Sequence, residues 1–79
     1  MIELTLLSRT YCHLCEDMLN ALAQHPRQGE FRVQVVAVDA DPGLEDRYGI
    51  LVPVLLHKDE EICHYHLDLP RFDAFLSGS

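Results

Sequence analysis

The join near the start of the chain limits most strongly what it can fold into. An apolar run, Ile2 to Leu7, breaks at Ser8 and Arg9, and Cys12-His13-Leu14-Cys15 follows almost at once. The run is too short for a helix and reads as a strand covered on both faces, in the middle of a sheet. Cys15, Met18, Leu19 and Leu22 then recur at i, i+3, i+4 and i+7, one face of a helix whose polar side carries Glu16, Asp17, Asn20 and Gln24. Pro26 and Gly29 end that helix, because the residue before a proline is pushed out of the helical region and glycine favours a turn.

Beyond it, Phe31, Val33, Val35 and Ala37 alternate with Arg32, Gln34, Val36 and Val38. This pattern suits an edge or near-edge strand whose second face begins polar and ends apolar. Asp41 can cap, Pro42 fits a first helical position and Gly49 suits a positive-φ exit, so a short helix is expected between Pro42 and Tyr48. Asp39 and Asp41 read as turn and cap residues rather than a catalytic carboxylate pair. Val54 to His57 and Glu61 to His66 flank the polar "KDE", a hairpin. Asp68 can cap a last helix with Phe72, Phe75 and Leu76 on one side, with Gly78 and Ser79 frayed beyond it.

The order is thus β-α-β-(α)-β-β-α. Strand-helix-strand alternation requires a right-handed crossover and a parallel pair, and the hairpin adds antiparallel strands. A chain of 79 residues makes one domain, 1–79, and hydrophobic residues at 48% can supply its core. Six basic residues against thirteen acidic ones give a net charge of -7, which disfavours nucleic acid and anionic membranes as partners. With no signal-peptide pattern, no apolar stretch long enough to span a bilayer and an odd count of three cysteines, a cytoplasmic monomer with reduced thiols is expected.

The position of the cysteine pair carries its chemistry. Cys12 stands at a helix N-terminus, where free backbone N–H groups and the helix dipole favour a thiolate. Cys15, one turn inside on the apolar stripe, is less exposed, so Cys12 can attack a disulfide and Cys15 can resolve the mixed disulfide. A protonated His13 favours the thiolate, while Glu16 and Asp17 oppose it. Half of a zinc site and inert packing are the alternatives. Zinc normally takes four ligands, and a second Cys-x-x-Cys is missing. Two further readings are a non-catalytic adaptor with a redox latch and a metal-binding dimer that uses Cys12.

"SRTYCHLC" resembles the active-site segment of glutaredoxins, and "RYGILVPVLL" resembles the thioredoxin and glutaredoxin segment that carries a cis proline before the third strand. With the element order, the resemblance covers nearly the whole chain and is nearest to the glutaredoxin-like group of very short thioredoxin-fold proteins. It implies a thioredoxin-like, glutaredoxin-type α/β fold: a four-stranded mixed sheet flanked by helices. It also implies a thiol-disulfide oxidoreductase acting through Cys12 and Cys15 on a disulfide-bearing protein or on glutathione, with no required cofactor and glutathione as a possible co-substrate. On the same grounds Val52-Pro53 is a cis peptide shaping the substrate groove, Arg9 supplies a cation for the glycine carboxylate of glutathione, and Asp68 stands where the glutathione γ-glutamyl end is received. His13-Leu14 replaces the Pro-Tyr of glutaredoxins, and "HYHLDLP" replaces their Gly-Gly-x-x-Asp segment.

Tyr11 either shields or orients Cys12 or packs on the loop from Gly49 to Pro53. Cys63 is expected in the core, with a regulatory thiol as the alternative. Strand alternation places His57, His64 and His66 on one face with Leu55 and Ile62, as separate, partly exposed histidines, and Cys63 and Tyr65 on the other.

Overall fold

A computed structural model describes residues 1–78. Four strands, β1 (Ile2–Ser8), β2 (Phe31–Ala37), β3 (Val54–His57) and β4 (Glu60–His64), form one sheet in the order β2-β1-β3-β4. β1 runs parallel to β2 and antiparallel to β3, and β3 is antiparallel to β4. The three helices are α1 (His13–Ala23), α2 (Pro42–Tyr48) and α3 (Leu69–Gly78). Among the described residues, no helix is long and apolar enough to cross a membrane.

β1 is central, as its apolar run requires, and its two faces serve two cores. Leu4 and Leu6 join Met18 and Leu22 of α1, Phe72 and Leu76 of α3, and Leu55 on one face. Leu7 joins Val38, Tyr48, Val54 and Leu56 on the other, which α2 covers. β2 is the edge strand that its mixed pattern suggested. It ends at Ala37, and Val38 enters a short 3₁₀ turn, Val38–Ala40, where it is fully buried.

Asp41 caps α2 as expected, its Oδ1 accepting from the Gly43 N–H at 2.7 Å, and Pro42 is the first helical residue. Gly49 departs from expectation: its φ is -54°, an ordinary helical value. Close packing accounts for glycine there, since a Cβ would lie 2.5 Å from the Glu45 carbonyl oxygen and 2.8 Å from its Oε1. Asp68 caps α3 by accepting from the Arg71 N–H at 3.2 Å. Gly78 belongs to that helix, while Ser79 lies outside the described residues.

The face assignment in the hairpin is corrected by a β-bulge. Lys58 takes a φ of 58° in a two-residue connection, so Glu60 already belongs to β4, which ends at His64 and leaves His66 outside. Leu55 pairs with Cys63, but Leu56 pairs with Glu61, which places the irregularity at Ile62. The extra residue shifts the alternation. Cys63 therefore shares the core cluster with Leu55 and Ile62, whereas His64 pairs with Val54 on the opposite face. His57 stays on the Leu55 side, its ring 4.9 Å from that of Phe75.

His25 is a buried polar side chain with no local sequence signal for its burial. It is 6% exposed and packs edge-on against Phe31 and Phe72. Its Nδ1 accepts from the Arg27 backbone N–H at 3.0 Å, so the neutral ring carries its hydrogen on Nε2 and donates to Asp73 Oδ1 at 2.7 Å. The end of α1 is thereby tied to α3.

Candidate active site

β1 ends in the sheet centre and delivers the segment from Arg9 to Cys12 to the start of α1. Tyr11 turns the chain with a φ of 62°. Cys12 follows in extended geometry as the N-cap of α1, its Sγ accepting from the Cys15 N–H at 3.2 Å. The two cysteines are joined as a disulfide with Cα atoms 5.2 Å apart. Cys12 is half-buried and Cys15 buried, the asymmetry expected of an attacking and a resolving thiol. The helix start that caps itself on Cys12 Sγ is also a place that favours negative charge on sulfur.

Tyr11 is fully exposed, at 102%, so packing against the loop from Gly49 to Pro53 is not its role. The positive φ directs the ring outward instead. His13 is exposed, with Nε2 3.7 Å from Asp17 Oδ2 one turn along α1. Val52-Pro53 is cis, with Pro53 buried at the entrance to β3. Its carbonyl accepts from the Tyr65 N–H at 2.9 Å, and the Tyr65 hydroxyl donates to the Ile50 carbonyl at 3.1 Å.

Arg9 is engaged within the chain. Its Nη2 donates to both Glu45 carboxylate oxygens at 2.8 Å and to the Gly49 carbonyl at 2.9 Å. This clamp ties the segment entering Cys12 to the end of α2 and to the loop that leads to Pro53. The sequence offered no direct signal for it, because the two partners lie 36 and 40 residues away.

A cleft of about 250 Å³ opens beside the disulfide between α1 and β2. Tyr11, Cys12, Cys15, Leu19 and Val35 line it, together with Arg9. Leu19, expected on the buried stripe of α1, is 39% exposed here, on the flank of α1 that faces the cleft. Val35 is likewise 51% exposed. Pro53 leads into β3, on the other side of β1 from this cleft, and Asp68 lines a separate one with Cys63, His64 and His66. The structure thus gathers Arg9, Tyr11 and the cysteines at one cleft and leaves Asp68 at another.

Cys63 is buried in the core, and desolvation pushes its thiol pKa up, so it is poorly suited to nucleophilic work. His64 Nδ1 lies 2.9 Å from Glu61 Oε2. Among the described residues, no group of three or more His, Cys, Asp or Glu is arranged to hold a metal.

Two solved bacterial structures share this arrangement of the chain. Protein Ne2328 from Nitrosomonas europaea is 34% identical, with 94% of this chain and 89% of that one covered and a TM-score of 0.83. Protein XcR50 from X. campestris is 42% identical, with 96% and 97% covered and a TM-score of 0.73. Thioredoxin 1 from Thermosipho africanus, 16% identical with 96% of each chain covered and a TM-score of 0.60, shares the fold. No curated protein matches the chain. The model of the glutaredoxin-like domain (DUF836) matches residues 3–77, and with a match running nearly from end to end on a thioredoxin-like α/β fold, the chain belongs to the glutaredoxin-like domain (DUF836) family.

Proposed function

We propose that the protein is a small thiol-disulfide oxidoreductase in which Cys12 attacks and Cys15 resolves. The observation that carries this reading is the disulfide itself, placed with Cys12 half-exposed as the cap of α1 and Cys15 buried one turn behind it. In the reduced chain, the Cys12 thiolate attacks a client disulfide. The Cys12-client mixed disulfide forms, and the first client sulfur leaves as a thiolate that takes a proton from solvent. Cys15 then loses its proton and its sulfur attacks Cys12 Sγ, expelling the second client thiol and closing the Cys12-Cys15 disulfide. Two electrons pass from the pair to the client, and a second dithiol or glutathione returns them by the reverse exchange.

In this scheme Tyr11 borders the bound client at the disulfide, Val52 and Pro53 meet only the part of it that reaches past the end of β1 towards β3, and His13 modulates the thiolate from the exposed face of α1. No metal or organic cofactor is needed. Use of glutathione would require Arg9 to serve its carboxylate while holding Glu45 and Gly49, and Asp68 to meet its other end from α3. A reducing compartment such as the cytoplasm suits a dithiol that must be recycled.

The test is a redox titration of the pair against glutathione and dithiothreitol buffers, with the bridge identified by mass spectrometry. A two-electron transition confined to Cys12 and Cys15 is expected, with Cys15→Ser accumulating a mixed disulfide on Cys12. Absence of the intramolecular bridge in solution, or full activity in Cys12→Ser, would refute the assignment.

A further inference from the structure

Three clefts lie side by side along β2, the outer strand of the sheet, and share lining residues as a segmented groove. The cleft beside the disulfide shares Ser8, Arg9, Thr10 and Val35 with a neighbouring cleft of about 340 Å³ that reaches Ala37. On its other side it shares Leu19 with a cleft of about 170 Å³ lined by Phe31 and Val33. The groove therefore follows β2 from its first residue to its last, with Cys12 and Cys15 lining its middle section.

The inner wall is the α1-facing side of an edge strand. Among the described residues, β2 pairs with β1 alone, so its other edge presents backbone N–H and C=O groups. Natural edge strands are commonly guarded by charged side chains or proline. Here the residues on the groove side are Phe31, Val33, Val35 and Ala37, while Arg32 and Gln34 alternate onto the opposite face. These four positions recur every second residue, the repeat of an extended polypeptide, and they supply walls to all three clefts.

We propose that this groove receives an extended segment of a client polypeptide, which adds a fifth strand along β2 and brings a client disulfide to Cys12. The proposal rests on the thiol-disulfide reading above and names its substrate class. Alternate apolar side chains of the segment enter the successive clefts, and main-chain hydrogen bonds to β2 hold it. The disulfide in the groove calls for an occupant that carries sulfur. The net charge of -7 favours a segment that is neutral or basic. Oxidised glutathione fits poorly, since it is anionic and has no strand to pair, and the cation lining the cleft, Arg9, is already held by Glu45.

The probe is a strand-length synthetic peptide with Val and Leu alternating with Thr and Lys and one cysteine blocked as a mixed disulfide with 2-mercaptoethanol. Its single-turnover reduction by the reduced protein is compared with that of a scrambled peptide of equal composition, a version N-methylated on alternate residues, and oxidised glutathione. The patterned peptide is expected to react about tenfold faster than the other three, the effect of one or two net backbone hydrogen bonds together with apolar contacts. Val35→Lys should remove that preference. Binding of a serine-for-cysteine version of the peptide, read from amide shifts along β2, tests the groove apart from the chemistry. Failure to reduce hydroxyethyl disulfide, with those shifts present, would count against the oxidoreductase reading and leave the groove standing. Equal rates for patterned and scrambled peptides, shifts elsewhere than β2, or a concentration-dependent dimer formed through β2 would overturn the proposal.

Discussion

The His25-Asp73 contact gives a sharp test of how this small core tolerates a polar side chain. The ring is buried against Phe31 and Phe72, yet both nitrogens are satisfied, Nδ1 by the Arg27 N–H and Nε2 by Asp73. Asp73→Leu leaves the Nε2 hydrogen without its acceptor, and an unsatisfied buried donor costs about 1–3 kcal/mol. The Asp73 side chain is 56% exposed, so water can reach part of the vacated space and the loss should fall in the lower half of that range. Asp73→Asn keeps an acceptor but gives up the charge, and should cost about 1 kcal/mol or less. His25→Phe preserves the packing of the ring and removes its polar contacts. In the His25→Phe, Asp73→Leu double variant the Nε2 donor is gone, so its destabilisation should be smaller than the sum of the two single ones, with a coupling of about 0.5–1.5 kcal/mol. Urea unfolding of the oxidised chain at fixed pH, with equal slopes across the set, reads these differences, and each kcal/mol corresponds to about 4–8 °C in Tm for a domain this size. Additive losses, or an Asp73→Leu variant as stable as the parent, would refute the claim that the contact joins α1 to α3.

Two further outcomes follow from other contacts. Gly49→Ala should destabilise the chain by about 1–3 kcal/mol in the same assay, because the new Cβ meets the Glu45 backbone oxygen at 2.5 Å and the carboxylate that holds Arg9 at 2.8 Å. Burial raises the Cys63 thiol pKa, so the unfolded chain ionises this thiol first as pH rises. The Cys63 contribution is then constant below the ordinary thiol range near pH 8.5, and stability declines as pH climbs from there towards the raised native value. Comparing the pH dependence of unfolding with that of Cys63→Ala isolates the effect; an identical slope above pH 8.5 in the two proteins would contradict it.

Much of this molecule was legible in the residues alone because the signals were local. The apolar run from Ile2 to Leu7, the stripe of Cys15, Met18 and Leu22, and the Asp41-Pro42 helix start each lie within one element, and each formed where expected. The cis peptide at Val52-Pro53 was anticipated from family likeness. Where sequence reasoning failed, the deciding contact was distant or depended on register. Cys63 is buried and His64 exposed as expected, but a single extra residue at Ile62 put Cys63, not His64, on the face of Leu55, and strand alternation cannot reveal a bulge.

Propensity, capping and period act over a few residues, and they suffice for the order of elements, the central place of β1 and the presentation of two cysteines at a helix start. The surroundings of those cysteines come instead from contacts between distant elements. Arg9 became a clamp because Glu45 and Gly49 fold back against it, and Leu19 and Val35 became cleft walls because α1 and β2 leave a cleft between them. Such neighbours are set by the packing of whole elements against one another, and no spacing along the chain records it.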